Sequence, residues 1–346
     1  MTKDILIQGE KYDIFYGANL SGVIAAAVAA DNVFLITDTN VEKLYGDDMR
    51  DESYVIAAGE NSKKLAVIGR ICEAMYDAGC NRKTTVVALG GGVVGDIAGF
   101  AASVYMRGVE VIQIPTTLLA MADSSVGGKT GVNLTAKNIV GTFHQPAAIY
   151  TSLHFLKTLP RREILCGMGE IFKTALLDKS IYSAFPALAN KACGAKEPAP
   201  ECFADILQMC IRFKLDIVTR DEKESELRKI LNVGHTLGHG LEVYDKYRLS
   251  HGEYVAHGIL LEAAVARDIG LIEKEHSGWI EKYGKMLTGG AQIKFDSEKL
   301  ADICAGDKKN SDAGISIILS YLPGKTEEVV LKHAELIKTL NRIKGN

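Results

Sequence analysis

The chain has 346 residues, of which 47% are hydrophobic and 24% charged, and its formal net charge is −3 at pH 7. A single hydrophobic core rarely keeps growing beyond roughly 250–300 residues, so this length favours two domains. The slightly negative net charge lacks the basic excess that is typical of proteins that bind nucleic acid or anionic membranes. We expect a small-molecule partner instead.

Short β-branched segments alternate with helical patterns in the first half of the chain. Apolar residues at helical spacing over 63–77 predict a crossover helix between the second and third segments. This alternation is typical of a mostly parallel sheet, and it predicts an α/β nucleotide-binding domain over residues 1–152. The predicted strands are 33–37, 54–57, 85–89 and 109–114.

Strand signals nearly vanish after residue 152, and amphipathic helical patterns follow one another. They predict an all-helical metal- and substrate-binding domain over residues 153–346. Residues 191–200, rich in Ala, Lys, Gly and Pro, indicate a surface connection. The segment 315–319 is β-like and fits either a hairpin or a sheet edge. The predicted helices are 163–177, 203–219, 231–245, 254–268 and 327–341.

Three features bear on location. The seven cysteines are scattered without a C-x-x-C pair, which fits free thiols in a reducing compartment. No secretory leader pattern opens the sequence. The apolar stretch 86–106 contains Asp96 and five glycines, so it fits a strand, a turn and a helix better than a membrane span. We therefore expect a cytoplasmic protein.

A glycine-rich turn directly follows the predicted strand 85–89 and contains Gly91, Gly92, Gly95 and Asp96. Glycines at a strand-to-helix turn let backbone amides approach a pyrophosphate, and the helix N-terminus favours the negative charge. The turn therefore favours a dinucleotide. The alternative is a tight turn that packs against a neighbouring helix.

Polar residues follow two other predicted strands. Asp38 and Asn40 come after the first strand, and Glu60 and Lys63 come after the second. Such positions commonly hold ribose hydroxyls in parallel sheets. Helix capping is the alternative interpretation for both pairs.

Histidines are concentrated in the second half of the chain. His235 and His239 lie four residues apart, hence on one helical face, and His251 and His257 follow. Imidazole clusters of this kind hold zinc, or they satisfy buried polar groups. Glu170 lies on a mostly apolar helical pattern with Lys173 three residues later, which indicates either a metal ligand or a structural ion pair.

Six cations are candidates for binding a phosphate or a carboxylate, and several of them lie in glycine-rich or uncharged surroundings, which favours anion binding over a solvated surface role. They are Arg107, Lys129, Lys137, Lys214, Arg228 and Lys308, with the adjacent Lys309 as the alternative to Lys308.

Five ordered motifs resemble the 3-dehydroquinate synthase family over nearly the full length. They are 90–96, 115–130, 167–173, 232–240 and 251–253. The resemblance implies an NAD- and Zn²⁺-dependent enzyme, in which Co²⁺ can replace Zn²⁺. It implies metal binding by Glu170, His235 and His251, with His239 and His257 as non-ligands. It also implies a homodimer.

The resemblance further assigns residues to NAD and to substrate. The NAD set is Asp38, Asn40, Glu60, Lys63, Gly91, Gly92, Gly95, Asp96, Thr116, Thr117, Lys129, Lys137, Thr158 and Leu159. The substrate set is Arg107, Lys129, Asn138, Lys173, Lys214, Arg228, Asn232, His239 and Lys308, and the catalytic set is Asp123, Lys129, Lys173, Lys214, Arg228, Asn232 and His239.

The implied reaction converts 3-deoxy-D-arabino-heptulosonate 7-phosphate into 3-dehydroquinate and phosphate, in the shikimate pathway towards chorismate and the aromatic amino acids. It proceeds by transient oxidation by NAD, phosphate elimination, re-reduction and intramolecular aldol closure. Another sugar phosphate cyclase, a metal-dependent polyol dehydrogenase and an inactive NAD-binding module are the alternatives. The chain departs from the family pattern at Gly240, Phe172 and 256–257.

Overall fold

The computed structural model describes residues 5–7, 9, 12–16, 32–49, 53–306 and 314–345. The chain divides into two compact units. Unit 1 comprises Met1–Pro160 and Ile211–Lys223, and unit 2 comprises Arg161–Cys210 and Glu224–Asn346. The domain ranges 1–152 and 153–346 stay a prediction.

Among its described residues, unit 1 contains nine strands, three complete helices and the second part of a helix that begins in unit 2. The strands are β1 (Ile5–Ile7), β2 (Asp13–Tyr16), β3 (Val33–Asp38), β4 (Ser53–Ile56), β5 (Thr85–Gly90), β6 (Glu110–Pro115), β7 (Lys129–Val132), β8 (Val140–Phe143) and β9 (Ala148–Thr151). The helices are α1 (Thr39–Tyr45), α2 (Leu65–Asp77) and α3 (Gly92–Val104).

Seven of these strands form one sheet in the order β1-β2-β9-β6-β5-β3-β4, while β7 and β8 form a separate antiparallel hairpin. All neighbours in the sheet are parallel except β1 and β2. The predicted α/β class is confirmed, and β3 to β6 match the four predicted strands. The other strands were not predicted because they are short, and β7 and β8 carry glycine and polar residues instead of an apolar run.

The parallel arrangement determines where the polar segments lie. Register pairs Asp38 with Ile56 and Gly90 with Pro115, so the carboxyl ends of β3, β4, β5 and β6 share one edge of the sheet. Ligands in open parallel sheets bind at this edge. Below it, Ile36, Val86 and Ile97 are fully buried in the core of the unit.

Unit 2 is helical, with one hairpin. Its helices are α4 (Arg161–Leu177), α5 (Lys179–Gly194), the first part of α6 (Ala204–Arg220), α7 (His235–Tyr244), α8 (His251–Asp268), α9 (Lys274–Leu287), α10 (Ser297–Ala305) and α11 (His333–Gly345). Strands β10 (Ile315–Leu322) and β11 (Lys325–Leu331) form the hairpin, which is one of the two structures that segment 315–319 predicted.

Two helix predictions need correction. The helix over 327–341 is wrong at its start, because residues 325–331 pair with β10 and α11 begins only at His333. The helix over 231–245 begins only at His235, because Gly234 adopts the left-handed region with φ 79°.

Shorter helical turns connect these elements. They are Gly46–Asp48, Glu60–Ser62, Tyr105–Arg107, Leu153–Lys157, Pro200–Phe203, Leu227–Asn232 and a π-helical turn at Ala120–Ser124. Residues 86–106 form β5, α3 and the turn that follows. Within the described ranges, no helix has both the length and the apolar character needed to cross a membrane.

Candidate active site

Helices α4 and α8 touch backbone to backbone through two glycines. A Cβ added at Gly252 would lie 1.7 Å from the carbonyl oxygen of Cys166, and one added at Gly169 would lie 2.1 Å from the carbonyl oxygen of Gly252. Glu170 follows Gly169 on α4, and His251 precedes Gly252 as the first residue of α8. The glycines therefore bring the carboxylate and the imidazole together.

The three predicted metal ligands converge in unit 2. Oε1 of Glu170 lies 3.2 Å from Nε2 of His251 and 3.6 Å from Nε2 of His235. A nitrogen of His239 also comes within 4.8 Å of ligand atoms of His235 and His251. The structure thus brings His239 next to the predicted ligands as a fourth candidate donor.

These donors fit a divalent metal. With bonds of about 2.0–2.1 Å, tetrahedral zinc places its ligand atoms roughly 3.3 Å apart, close to the separations observed here. Nδ1 of His235 lies 3.1 Å from the carbonyl oxygen of Val233, which can only accept, so this imidazole donates from Nδ1 and presents a lone pair on Nε2. Nδ1 of His251 lies 3.6 Å from Oε2 of the buried Glu242, on the side away from Glu170.

The protonation states also suit metal binding. Nζ of Lys173 lies 2.6 Å from Oε2 of Glu170, and both residues are 2% exposed. Burial alone raises the pKa of Glu170, but the charge of the adjacent Lys173 ammonium opposes this effect, and the pKa is held well below its ordinary value. Burial lowers the pKa of His235, against the opposing effect of Glu170. An anionic carboxylate beside a neutral imidazole is what a cation binds.

The glycine turn in unit 1 is tightly packed. Gly91 caps α3, and a Cβ added there would lie 2.9 Å from Cγ2 of Thr117. A Cβ at Gly92 would lie 3.1 Å from Oγ of Ser124. The amide of Thr116 donates to the carbonyl of Gly90 at 2.9 Å. The turn is close-packed, as the tight-turn interpretation expects. It also lies at the N-terminus of a helix, so the dinucleotide-binding interpretation stays a prediction.

A concave surface adjoins this helix N-terminus within unit 1. Its lining residues include Gly91, Gly92, Asp96, Lys129 and Thr130. Backbone amides and a lysine side by side suit the phosphates of a dinucleotide. The residues present therefore fit the pyrophosphate part of NAD.

Four predicted residues meet at α3. Nζ of Lys63 donates to Oδ2 of Asp96 at 2.5 Å and to Oδ1 of Asn138 at 2.5 Å. Oε1 of Glu60 lies 3.8 Å from the same ammonium and accepts from Asn133 at 2.8 Å. Burial raises the pKa of Asp96, and the Lys63 ammonium opposes this rise.

The remaining predicted NAD residues divide into two groups. Oδ1 of Asp38 accepts from the amides of Asn40 and Val41 at 2.9 and 3.0 Å, so this carboxylate caps α1. Oγ1 of Thr158 lies 2.5 Å from the hydroxyl of Tyr45 at the other end of α1, with Leu159 following.

Comparison with known proteins bears on this arrangement. Models of the 3-dehydroquinate synthase N-terminal and C-terminal regions match residues 53–166 and 167–310. The chain is 41% identical over 345 residues to the 3-dehydroquinate synthase of Alkaliphilus metalliredigens (strain QYMF), covering 96% of both proteins. The chain belongs to the 3-dehydroquinate synthase family. The predicted resemblance is confirmed, and so is the expectation of an enzyme.

Two further comparisons come from solved structures. The 2-epi-5-epi-valiolone synthase of Streptomyces hygroscopicus subsp. jinggangensis 5008, solved with NAD⁺ and Zn²⁺, has a TM-score of 0.86 at 27% identity, covering 99% of each chain. A 2-deoxy-scyllo-inosose synthase, solved with carbaglucose-6-phosphate, NAD⁺ and Co²⁺, has a TM-score of 0.85 at 23% identity, covering 98% of this chain and 99% of that one. The second likeness shows the fold alone.

The predicted cations of this family member lie in different places. Asp123 lies in the π-helical turn of unit 1. Lys214 pairs with its carboxylate and donates to its carbonyl oxygen at 2.7 Å. Lys137, next to Asn138, is half-buried, and Arg228 is 1% exposed in unit 2. Arg107 precedes β6 and so lies at the amino-terminal ends of the parallel strands, whereas the glycine turn lies at their carboxyl ends. The structure therefore does not bring Arg107 to the other predicted residues of unit 1. Lys308 lies outside the described residues.

Three carboxylates that contact site residues are absent from the predictions. Oε1 of Glu224 accepts from Nδ2 of Asn232 at 2.9 Å, Glu242 faces His251, and Glu262 accepts from the backbone beside His235. Glu224 lies in a loop at φ 59°, and the other two lie on helices, so spacing along the chain carries no signal for these contacts.

The departures from the family pattern have local explanations. A Cβ at Gly240 would lie 2.5 Å from Sγ of Cys304, so this cysteine requires the glycine. Phe172 packs against Phe185 and Trp279, with ring centroids 5.4 and 5.8 Å apart. Residues 256–257 are buried in α8.

Proposed function

We propose that this family member converts 3-deoxy-D-arabino-heptulosonate 7-phosphate into 3-dehydroquinate and phosphate, as a carbon–oxygen lyase of the shikimate pathway. The observation that carries the proposal is the convergence of Glu170, His235 and His251, whose donor atoms lie 3.2 and 3.6 Å apart on three helices. A structural ion pair alone needs no imidazoles, whereas two histidines and one glutamate are a known ligand set of catalytic zinc sites.

NAD and Zn²⁺ or Co²⁺ are the proposed cofactors, and the 2-epi-5-epi-valiolone synthase solved with NAD⁺ and Zn²⁺ supports NAD and Zn²⁺. Glu170, His235 and His251 would hold the metal, while the α3 N-terminus at Gly91 and Gly92 would hold NAD. When bound, the metal supplies Lewis acidity to substrate hydroxyls and NAD accepts and returns a hydride.

The residues of unit 2 then have separate roles. Lys173 keeps Glu170 ionised, because its ammonium offsets the cost of burying the carboxylate. His239 lies beside the donor set and Asn232 is oriented by Glu224, so we assign them to hydrogen bonding and proton transfer at the reacting hydroxyl. Arg228 offers a buried guanidinium for a carboxylate or a phosphate.

The residues of unit 1 serve NAD and the anionic groups. Lys63 holds Asp96 and Asn138 in one arrangement beside α3. Asp123 holds the ammonium of Lys214, which we assign to the substrate carboxylate. Lys129, on the surface next to the glycine turn, is assigned to phosphate, whereas Arg107 lies at the opposite end of the strands and is given no part in this contact.

Substrate choice tests this proposal against another sugar phosphate cyclase. Phosphate release is measured from 3-deoxy-D-arabino-heptulosonate 7-phosphate and from a matched heptulose phosphate that lacks the carboxylate. We expect release from the first substrate only, and Arg228→Met to reduce it about 100-fold or more, since a lost charged contact costs roughly 3 kcal/mol. Preferential turnover of the substrate that lacks the carboxylate would assign a different cyclase activity.

We also propose a cytoplasmic homodimer, as the family resemblance implies. Light scattering on the purified protein measures the mass, and we expect about twice the 37.4 kDa of one chain. A mass equal to one chain would exclude the dimer.

A further inference from the structure

Helix α7, which begins with His235, lacks a capping side chain of its own. The residue before it is Gly234, at φ 79°. The first amides of any α-helix need acceptors from outside the helix, and Ser, Thr, Asp or Asn normally supplies one at this position. Glycine cannot.

Glu262 of α8 supplies these acceptors instead. Its Oε2 accepts from the amide of Gly234 at 2.5 Å, and its Oε1 accepts from the amide of Leu237 at 3.2 Å. Glu262 is only 2% exposed. Its negative charge at a helix N-terminus is favourable, and the hydrogen bonds from the two backbone amides offset the cost of burying the carboxylate.

Close packing leaves little freedom around these bonds. A Cβ at Gly258 would lie 2.0 Å from the carbonyl oxygen of Gly234, and a Cβ at Gly238 would lie 2.8 Å from the carbonyl oxygen of Tyr254. Helices α7 and α8 therefore touch along the turn that Glu262 binds. The carboxylate cannot follow a shifted α7 without moving α8.

His235 lies between the two amides that Glu262 holds. Its Nδ1 bond to the carbonyl of Val233 lies in the same short segment, so the backbone at 233–237 determines where Nε2 points. We propose that Glu262 is a positioning residue that aims His235 at Glu170. This inference rests on the proposed function only in taking His235 as a metal donor. Glu262 itself acts through the backbone.

The test compares Glu262→Gln with a matched loss of a helix cap elsewhere. Asp178 caps α5 through the amides of Ser180 and Ile181 at 2.8 and 3.0 Å, so Asp178→Ala is the control for destabilisation alone. Glutamine keeps one acceptor oxygen but turns an NH₂ group towards one of the two amides. Glu262→Ala removes both acceptors.

Metal-free protein of each variant is titrated with Co²⁺, and affinity is read from competition with a chelator and from the visible absorption of bound Co²⁺. Loss of groups that orient ligands typically weakens metal binding about 10–100-fold. We expect Co²⁺ binding to weaken by an amount near the lower end of this range in Glu262→Gln and near its upper end in Glu262→Ala. Asp178→Ala should bind Co²⁺ with wild-type affinity. We also expect a changed Co²⁺ spectrum only in the Glu262 variants.

Hydrogen exchange of the metal-free proteins gives a readout that does not depend on metal. We expect faster exchange over 233–238 in the Glu262 variants and over 180–181 in Asp178→Ala. Unchanged exchange over 233–238, or wild-type Co²⁺ affinity and spectrum in both Glu262 variants, would overturn the inference. Failure of the wild-type protein to bind Co²⁺ would instead contradict the proposed function.

Discussion

Oε1 of Glu170 lies 3.2 Å from Nε2 of His251, and this contact depends on the absence of side chains at the two neighbouring positions. Gly169 and Gly252 let α4 and α8 approach until their backbones touch. The candidate metal site is therefore built on backbone packing as much as on its ligands.

Gly252→Ala tests this dependence. Its Cβ would lie 1.7 Å from the carbonyl oxygen of Cys166, so α4 and α8 must separate. We expect unfolding in urea to become easier by roughly 3 kcal/mol and Co²⁺ binding to weaken. Gly278→Ala is the control, because no atom of the described residues lies within 4 Å of a Cβ added there, and replacing a glycine within α9 should stabilise by up to about 1 kcal/mol. Equal effects of the two substitutions would contradict the packing explanation.

Gly240 and Cys304 should be energetically coupled. Alanine at 240 gains helix propensity of about 1 kcal/mol but places its Cβ 2.5 Å from Sγ of Cys304. We expect Gly240→Ala to destabilise by roughly 1–2 kcal/mol, and to cost less in a Cys304→Ala background. A double-mutant cycle of urea unfolding measures the difference. Strict additivity would show that the sulfur does not require this glycine.

His276 should make stability depend on pH. Its Nε2 lies 2.9 Å from Oγ of Ser320 and its Nδ1 lies 3.3 Å from the hydroxyl of Tyr182. Burial lowers its pKa from 6.5 to about 4. A depressed histidine pKa stabilises the fold fully above pH 6.5, and this contribution is lost as pH falls towards 4.

Urea unfolding at pH 7, 6 and 5 compares the wild-type protein with His276→Gln. The wild-type protein should lose up to about 1.4 kcal/mol per pH unit below 6.5 relative to the variant. Parallel stability profiles would show that His276 titrates normally.

Lys63 should be required for NAD binding. Its ammonium bonds Asp96 and Asn138, so Lys63→Met should raise the pKa of Asp96 further and release Asn138. We expect NAD affinity, measured by calorimetry, to fall about tenfold, or roughly 1.4 kcal/mol. The exposed Lys64 provides the control substitution Lys64→Met, which should leave affinity unchanged. Equal affinities in both variants would remove Lys63 from the cofactor site.

Individual strands, and residues that share a helical face, could be predicted from the sequence, because they depend on residues close together in the chain. Strands β3 to β6 were predicted because short β-branched runs are typical of the strands of a parallel sheet. His235 and His239 share a helical face because they are four residues apart, and their rings lie 5.1 Å apart.

Contacts between distant segments were not predictable in this way. The acceptors for the start of α7 come from Glu262 on another helix, and segment 327–331 was mistaken for helix because its partner strand determines its conformation. Glu170 was joined to the histidines only through the family resemblance, since nothing in its own helix indicates which helix it faces.

The most direct test follows phosphate and NADH together. The protein is incubated with NAD and 3-deoxy-D-arabino-heptulosonate 7-phosphate, with and without a chelator, while phosphate release and absorbance at the NADH band are recorded. We expect phosphate release without net accumulation of NADH, its loss with chelator, and its return when Zn²⁺ or Co²⁺ is added. Steady NADH accumulation without phosphate release, or turnover that the chelator does not reduce, would contradict the proposed reaction.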